Sequence, residues 1–139
     1  MAIRIEAVDM ADMEARANLV RPFAEPSVAE KFAFSPTYFG FALKDEEGVD
    51  GGIAGQLYWD WMVIENLSVP TRWRGRGLGR AVLETAEASA RAKGCVGAWV
   101  STYSFQSPGF YLSMGYTIFG RLPSYPDNQE RLFLSKLFS

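Results

Sequence analysis

The nine residues Arg72-Trp73-Arg74-Gly75-Arg76-Gly77-Leu78-Gly79-Arg80 hold four arginines and three glycines in a chain of formal net charge −2. Folding alone does not ask for that combination. Glycines let backbone amides close on a ligand, and guanidinium groups add charge-assisted hydrogen bonds. Just downstream, Leu78, Val82, Ala86 and Ala90 recur at helical spacing, so the loop opens a helix. The first amides of a helix lack intrahelical partners and carry the positive end of its dipole. A phosphate or pyrophosphate is the guest such a start accepts, with Arg74, Arg76 and Arg80 adding charge around Gly75, Gly77, Leu78 and Gly79.

Spacing separates the kinds of phosphate loop. A dinucleotide fingerprint starting at Gly75 needs a glycine at 80, where Arg80 stands. A P-loop needs a glycine five residues after the first and then Lys-Ser or Lys-Thr, and neither is present. Arg74-Gly75-Arg76-Gly77-Leu78-Gly79 does match a third pattern, [RQ]-x-x-G-x-[GA]. Taken alone, those six residues also read as a glycine-rich turn with solvated arginines.

Composition narrows the chemistry. The 139 residues suit one domain, 1–139, with a single core. The net charge of −2 speaks against a nucleic-acid binder, since the basic cluster is local. One cysteine, Cys95, leaves no internal disulfide and no multi-cysteine metal site, and we expect it to serve packing. The chain has no histidine, which removes the usual general base, the usual zinc ligand and any Ser-His-Asp or Cys-His arrangement. The charged N-terminus does not read as a signal peptide, and no apolar run is long enough to span a membrane. The expectation is a soluble, cytoplasmic protein.

The elements that must position the loop can be read along the chain. Ile3, Ile5 and Val8 alternate imperfectly and predict a strand over residues 2–8. Asp9 predicts a cap for a helix over about residues 10–21. A short helix is expected after Ser27, from Val28 to Phe32. Residues 38–43, 52–58 and 59–69 read as strands, the first two joined by the charged turn at residues 44–48. After the helix over 77–93, ended by Gly94, come a strand at 96–102, a short helix at 108–114, and strands at 116–122 and 130–138. An α/β sheet with helices on its faces is the natural packing.

The residues flanking the loop carry a resemblance. Ile64-Glu65-Asn66-Leu67-Ser68-Val69-Pro70 before it, and Phe110-Tyr111-Leu112-Ser113-Met114-Gly115-Tyr116 after it, resemble two segments of the GCN5-related N-acetyltransferase (GNAT) superfamily. The loop itself resembles that family's coenzyme A pyrophosphate loop. The resemblance implies a mixed, mostly antiparallel sheet of about seven strands, splayed between the fourth and fifth, with about four helices on its faces. It implies acetyl-CoA as cofactor and direct transfer of acetyl to a primary amine, without a covalent enzyme intermediate. The gap would lie between residues 61–69 and 96–102. Leu67, Ser68 and Val69 would pair with the pantetheine arm through their backbones, and an amide of this strand would face the thioester carbonyl. Tyr111 would protonate the departing thiolate, as a phenol can. The family's pantetheine-contacting asparagine is replaced by Ser104, for which Gln106 is the substitute. A Gly-His pair found before the last strand of similar enzymes is absent, the segment reading Pro126-Asp127-Asn128-Gln129.

With no histidine, the proton of the attacking amine must go to a carboxylate or to water. Glu65 is the candidate base, on the same side of the strand as Leu67 and Val69, its pKa raised by burial beside Trp61; Asp60 is a second choice. Phe32, Phe34, Tyr38, Phe39, Trp59 and Trp61 read mostly as core, but Tyr38, Trp59 and Trp61, if exposed, would suit a small aliphatic amine. Asp60, Glu65, Glu46 and Glu47 add negative potential that favours a cationic acceptor, a small molecule or amino-acid derivative. The alternatives are a protein N-terminus or lysine as acceptor, or a module that senses acetyl-CoA without turnover. Dimers are common in the family the chain resembles, and residues 130–138 are the candidate interface of a homodimer; the sequence alone does not decide between monomer and dimer.

Overall fold

The computed structural model describes residues 2–25 and 35–139, apart from the side chains of residues 125 and 126. The expected short helix from Val28 to Phe32 lies outside the described residues. The contacts divide the chain into two compact units, Met1–Phe34 and Ser35–Ser139.

In the first unit the helix α1 spans Met13–Val20, and Asp12 rather than Asp9 caps it. The Asp12 carboxylate accepts from Glu14 N at 3.0 Å and Ala15 N at 3.2 Å. Asp9 accepts instead from Ala11 N, in a turn that precedes the helix. Pro22 lies in a single 3₁₀ turn, Arg21–Ala24, where α1 stops. Residues 2–8 form no strand, which corrects the expectation. Apolar alternation proposes a strand, but only a ladder partner makes one.

The second unit holds one six-stranded sheet. Its strands are β1 (Thr37–Asp45), β2 (Gly48–Tyr58), β3 (Trp61–Ser68), β4 (Gly97–Tyr103), β5 (Thr117–Tyr125) and β6 (Gln129–Leu137). The helices are α2 (Leu78–Ala92) and α3 (Pro108–Ser113). Strand order is β1-β2-β3-β4-β6-β5. Only β3 and β4 are parallel. A parallel neighbour needs a crossover, which α2 supplies. Among the described residues the mixed sheet therefore has six strands rather than about seven, with three α-helices rather than about four. Strand β6 is hydrogen-bonded on both sides, so the segment expected at a dimer interface offers no free edge.

The turn between β2 and β3 is Trp59-Asp60, with Trp59 at φ 52°, so β3 starts later than the expected 59. The core lies between α2 and one face of the sheet. Val82, Leu83, Ala86 and Ala90 of α2 meet Met62, Ile64, Ala98, Val100, Leu132 and Leu134. The expected alternation explains this set, since each strand sends every second side chain to that face. Cys95 is buried in the same cluster. One polar knot crosses the core: Tyr116 Oη donates to Glu87 Oε2 at 2.7 Å, and Lys136 Nζ reaches Glu87 Oε1 at 3.1 Å and Met114 O at 3.0 Å. No helix among the described residues is long and apolar enough to cross a membrane.

Candidate active site

The site begins where two strands stop pairing. The β3–β4 ladder runs from Trp61↔Gly97 to Ile64↔Val100 and ends there. Beyond it β3 stays on β2 and β4 stays on β6. These are the fourth and fifth strands of the expected sheet, and they do part. At the same point β3 bulges: Ile64 pairs with Gly55 and Asn66 with Ala54, so Glu65 has no partner on β2. A bulge bends its strand and re-aims the extra side chain.

The parted strands enclose a cleft of about 730 Å³. Glu65, Asn66, Leu67, Ser68 and Val69 line one wall and Ser101 and Thr102 the other. Phe105, Gln106, Ser107 and Phe110 close one side, with Arg74 and Gly79 at the end. The backbone of residues 65–68 facing β4 has no ladder partner there, so its N–H and C=O groups are a template for an extended chain.

The cleft runs on into the arginine loop. A cavity of about 310 Å³ shares Val69, Arg74, Gly79 and Phe110 with it and adds Gly75, Gly77, Leu78 and Arg80. Gly75 and Gly77 have φ of +78° and +75°, a region that glycine enters without cost. Gly77 is the N-cap of α2, which has no side-chain cap and no acidic residue in its first turn. The first intrahelical bond is Ala81 N to Gly77 O at 3.0 Å, leaving the amides of Leu78, Gly79 and Arg80 for a ligand. The four arginines have different tasks. Arg72 donates to Asp50 Oδ2 at 2.5 Å and stacks on Trp73, Arg80 reaches Glu84 at 3.4 Å, and Arg74 Nε donates to Val69 O at 3.3 Å. Arg76 forms no ion pair among the described residues.

Tyr111 is placed differently from the expectation of a cleft-lining phenol. Its ring is buried on α3, edge-on to Phe110 at 5.1 Å and to Tyr116 at 5.7 Å, while Phe110 is the neighbour that lines the cleft. Burial pushes its pKa up to about 12. Its hydroxyl hydrogen-bonds no described residue, yet it is not sealed: the one fully enclosed, unpartnered side-chain N or O described is Arg131 Nε. Tyr111 thus keeps its proton, and its hydroxyl has no partner among the described residues.

The other site residues sort by geometry. Glu65 lines the cleft but is exposed, so the expected burial beside Trp61 is not found; Trp61 instead lines a cavity with Trp99 and Phe119. Asp60 sits in the turn at the far, paired end of β3. Ser104 is committed elsewhere, its Oγ donating to Gln129 Oε1 at 2.7 Å and accepting from Glu130 N at 2.9 Å. Gln106 lines the cleft, and its carbonyl accepts from Thr102 Oγ1 and Tyr103 N, both at 3.0 Å, which leaves its amide N–H groups for a ligand. Sequence reasoning did not single out Asn66, Ser101, Thr102, Phe105 or Ser107 for the site. Register across the gap was the missing information.

Comparison with known proteins agrees with this geometry. Residues 7–116 match the family described as "Acetyltransferase (GNAT) family". The chain is 39% identical over 90 residues to a blasticidin-S acetyltransferase of Streptomyces morookaense, a stretch covering 64% of this chain and 66% of that relative's length. It is 29% identical over 131 residues to an acetyltransferase of Agrobacterium fabrum, covering 94% of this chain and 96% of that one. A crystal structure of an acetyltransferase from Bacillus cereus superposes with a TM-score of 0.82 at 27% identity, covering 98% of each chain. The parted strands, the uncapped helix start and the matched span together place this chain in the GNAT acetyltransferase family, whose members are acyltransferases that draw on acetyl-CoA.

Proposed function

We propose that this protein transfers an acetyl group from acetyl-CoA directly to the primary amine of a small molecule or amino-acid derivative. The observation that carries the reading is continuity: the cleft beside the unpaired backbone of residues 65–68 shares Val69, Arg74, Gly79 and Phe110 with the cavity at the uncapped start of α2. When bound, acetyl-CoA supplies an activated acyl carbon on a thiol leaving group.

The residues divide the work. The amides of Leu78, Gly79 and Arg80 hold the pyrophosphate, with Arg74, Arg76 and Arg80 neutralising its charge. The backbone of Leu67, Ser68 and Val69 and the side chain of Gln106 hold the pantetheine arm, and a β3 amide donates to the thioester oxygen. Glu65 takes the proton of the attacking amine, directly or through water. As the new C–N bond forms and the C–S bond breaks, Tyr111 gives its proton to the sulfur and recovers one from solvent. The carboxylate of Glu65 at the cleft suits an acceptor that arrives as a cation.

The blasticidin-S acetyltransferase relative supports a small-molecule acceptor. The matched segment 7–116 runs through both structural units, which supports reading 1–139 as one domain. Calorimetry with acetyl-CoA, followed by a thiol-release screen against amines, tests the proposal. Micromolar binding with turnover of small amines is the expected result. Binding with hydrolysis alone would point to a sensor, and turnover only on peptides to a protein acetyltransferase.

A further inference from the structure

One guanidinium in the sheet, that of Arg131, has no counter-charge among the described residues. Leu132 and Leu134 of β6 face the α2 core, so Arg131 and Phe133, which alternate with them, face the other side of the sheet. Arg131 is half-buried there, its guanidinium 5.8 Å from the Tyr103 ring and 5.2 Å from that of Phe133. One Nη donates to Ser101 Oγ at 2.8 Å, and Nε is enclosed with no hydrogen-bond partner. No carboxylate among the described residues pairs with it; the adjacent Glu130 pairs with Arg121 at 3.2 Å. Holding a guanidinium out of water without an anion is costly, and its planar fork is shaped for a carboxylate.

The location gives that charge a use. Ser101 lines the acyl-transfer cleft. Phe133 lines a second, largely apolar cavity of about 510 Å³ with Trp61, Trp99, Phe119 and Ser135. Tyr103 stacks at 5.2 Å on Phe105, another cleft residue. Arg131 therefore stands between the cleft and an aromatic cavity. The arginine loop opens α2 on the core side of the sheet, so a donor anchored there leaves the opposite face, where Ser101 and Arg131 lie, for the incoming amine.

We infer that Arg131 determines acceptor specificity: it binds a carboxylate carried by the acceptor amine, whose apolar body lies among Trp61, Trp99 and Phe133. The substrate class is a small amine with a carboxylate and a planar or apolar group. This rests on the transferase reading above and narrows it.

The test uses the tryptophans of the cavity as reporters. N-acetylphenylalanine and its uncharged amide, two products of the proposed class, are titrated against intrinsic fluorescence. The carboxylate should bind about 30-fold more tightly than the amide. Arg131→Met should abolish that ratio, and Arg131→Lys, which keeps the charge and loses the fork, should retain part of it. Equal binding of the two probes to the unmodified protein, or binding of neither, overturns the inference whether or not a variant folds. Kinetics separates the two proposals. If carboxylate-bearing amines and their amides are acetylated equally well, the role of Arg131 falls and the transferase stands. If acetyl-CoA fails to bind while the carboxylate probe binds through Arg131, the transferase falls and the Arg131 site stands.

Discussion

The rings of Tyr111 and Tyr116 meet edge to face, 5.7 Å between centroids, yet only Tyr116 has its hydroxyl committed, to Glu87 at 2.7 Å. The two phenols share one apolar corner and differ in what is left to donate. Of the two, only the Tyr111 hydroxyl is left without a partner among the described residues. Tyr111→Phe should lower kcat about 100-fold and leave the KM for acetyl-CoA within a factor of about two, as expected for loss of a general acid. Because the hydroxyl bonds no described residue, thermal stability should hardly change. Steady-state kinetics beside a melting curve checks both halves, and an unchanged kcat would remove Tyr111 from the mechanism.

The same burial makes stability depend on alkaline pH. Tyr111 has its pKa raised to about 12 by desolvation. That of Tyr116 is raised further, by burial first, then by its hydrogen bond to Glu87 and that carboxylate's charge. In the unfolded chain both phenols ionise near pH 10. The unfolded state therefore loses protons first, and stability, fully present below about pH 10, falls as pH rises toward about 12. Urea midpoints across that window should fall less steeply for Tyr111→Phe than for the unmodified protein; parallel slopes would contradict the assignment.

Among the described residues, Lys136 is the only cation paired with buried Glu87. Lys136→Met should cost about 2 kcal/mol, because it strands a charge rather than because the ion pair itself is worth that much. Adding Glu87→Gln should recover part of the loss. Denaturant unfolding of the single and double variants gives the comparison. Acetyl-CoA affinity should not follow, since neither residue lines the cleft.

Two glycines of the loop should fail for different reasons. A Cβ at Gly77 meets nothing within 4 Å, so Gly77→Ala pays only for its φ of +75°, about 1 kcal/mol of stability. A Cβ at Gly79 lies 3.4 Å from the Phe110 ring, where helix start and cleft meet. Gly79→Val should therefore weaken acetyl-CoA binding by at least about tenfold with a smaller loss of stability. Calorimetry and urea unfolding on both variants would show the crossed pattern, and equal effects on binding would count against the path of the ligand.

Much of the site was legible because its signals are local. The helix read at 77–93 is Leu78–Ala92, since its apolar positions, small residues and terminal glycines agree with one another. The glycine spacing named the loop and the Phe-Tyr segment named α3. The failures came where a residue's role depends on a distant partner. Asp9 and Asp12 are equally good caps in isolation, and only the turn between them decides. Residues 2–8 alternate as a strand would, but no ladder forms on them. Trp59 carries none of the glycine or asparagine chemistry of a tight turn, yet it takes φ 52° there.

By itself the sequence pointed to a glycine-rich loop opening a helix, since glycine spacing and a helix start are properties of a dozen consecutive residues. It also determined the family. Tertiary structure decided where the sheet opens, because that depends on Ile64 meeting Val100 and on Glu65 being left over against β2. It also decided which polar groups are spent. Ser104 is tied to β6, Gln106 keeps its amide, and Arg131 has its Nε enclosed and no carboxylate paired with it among the described residues. Availability is a property of neighbours, and neighbours across a sheet lie too far apart in sequence to be read from it.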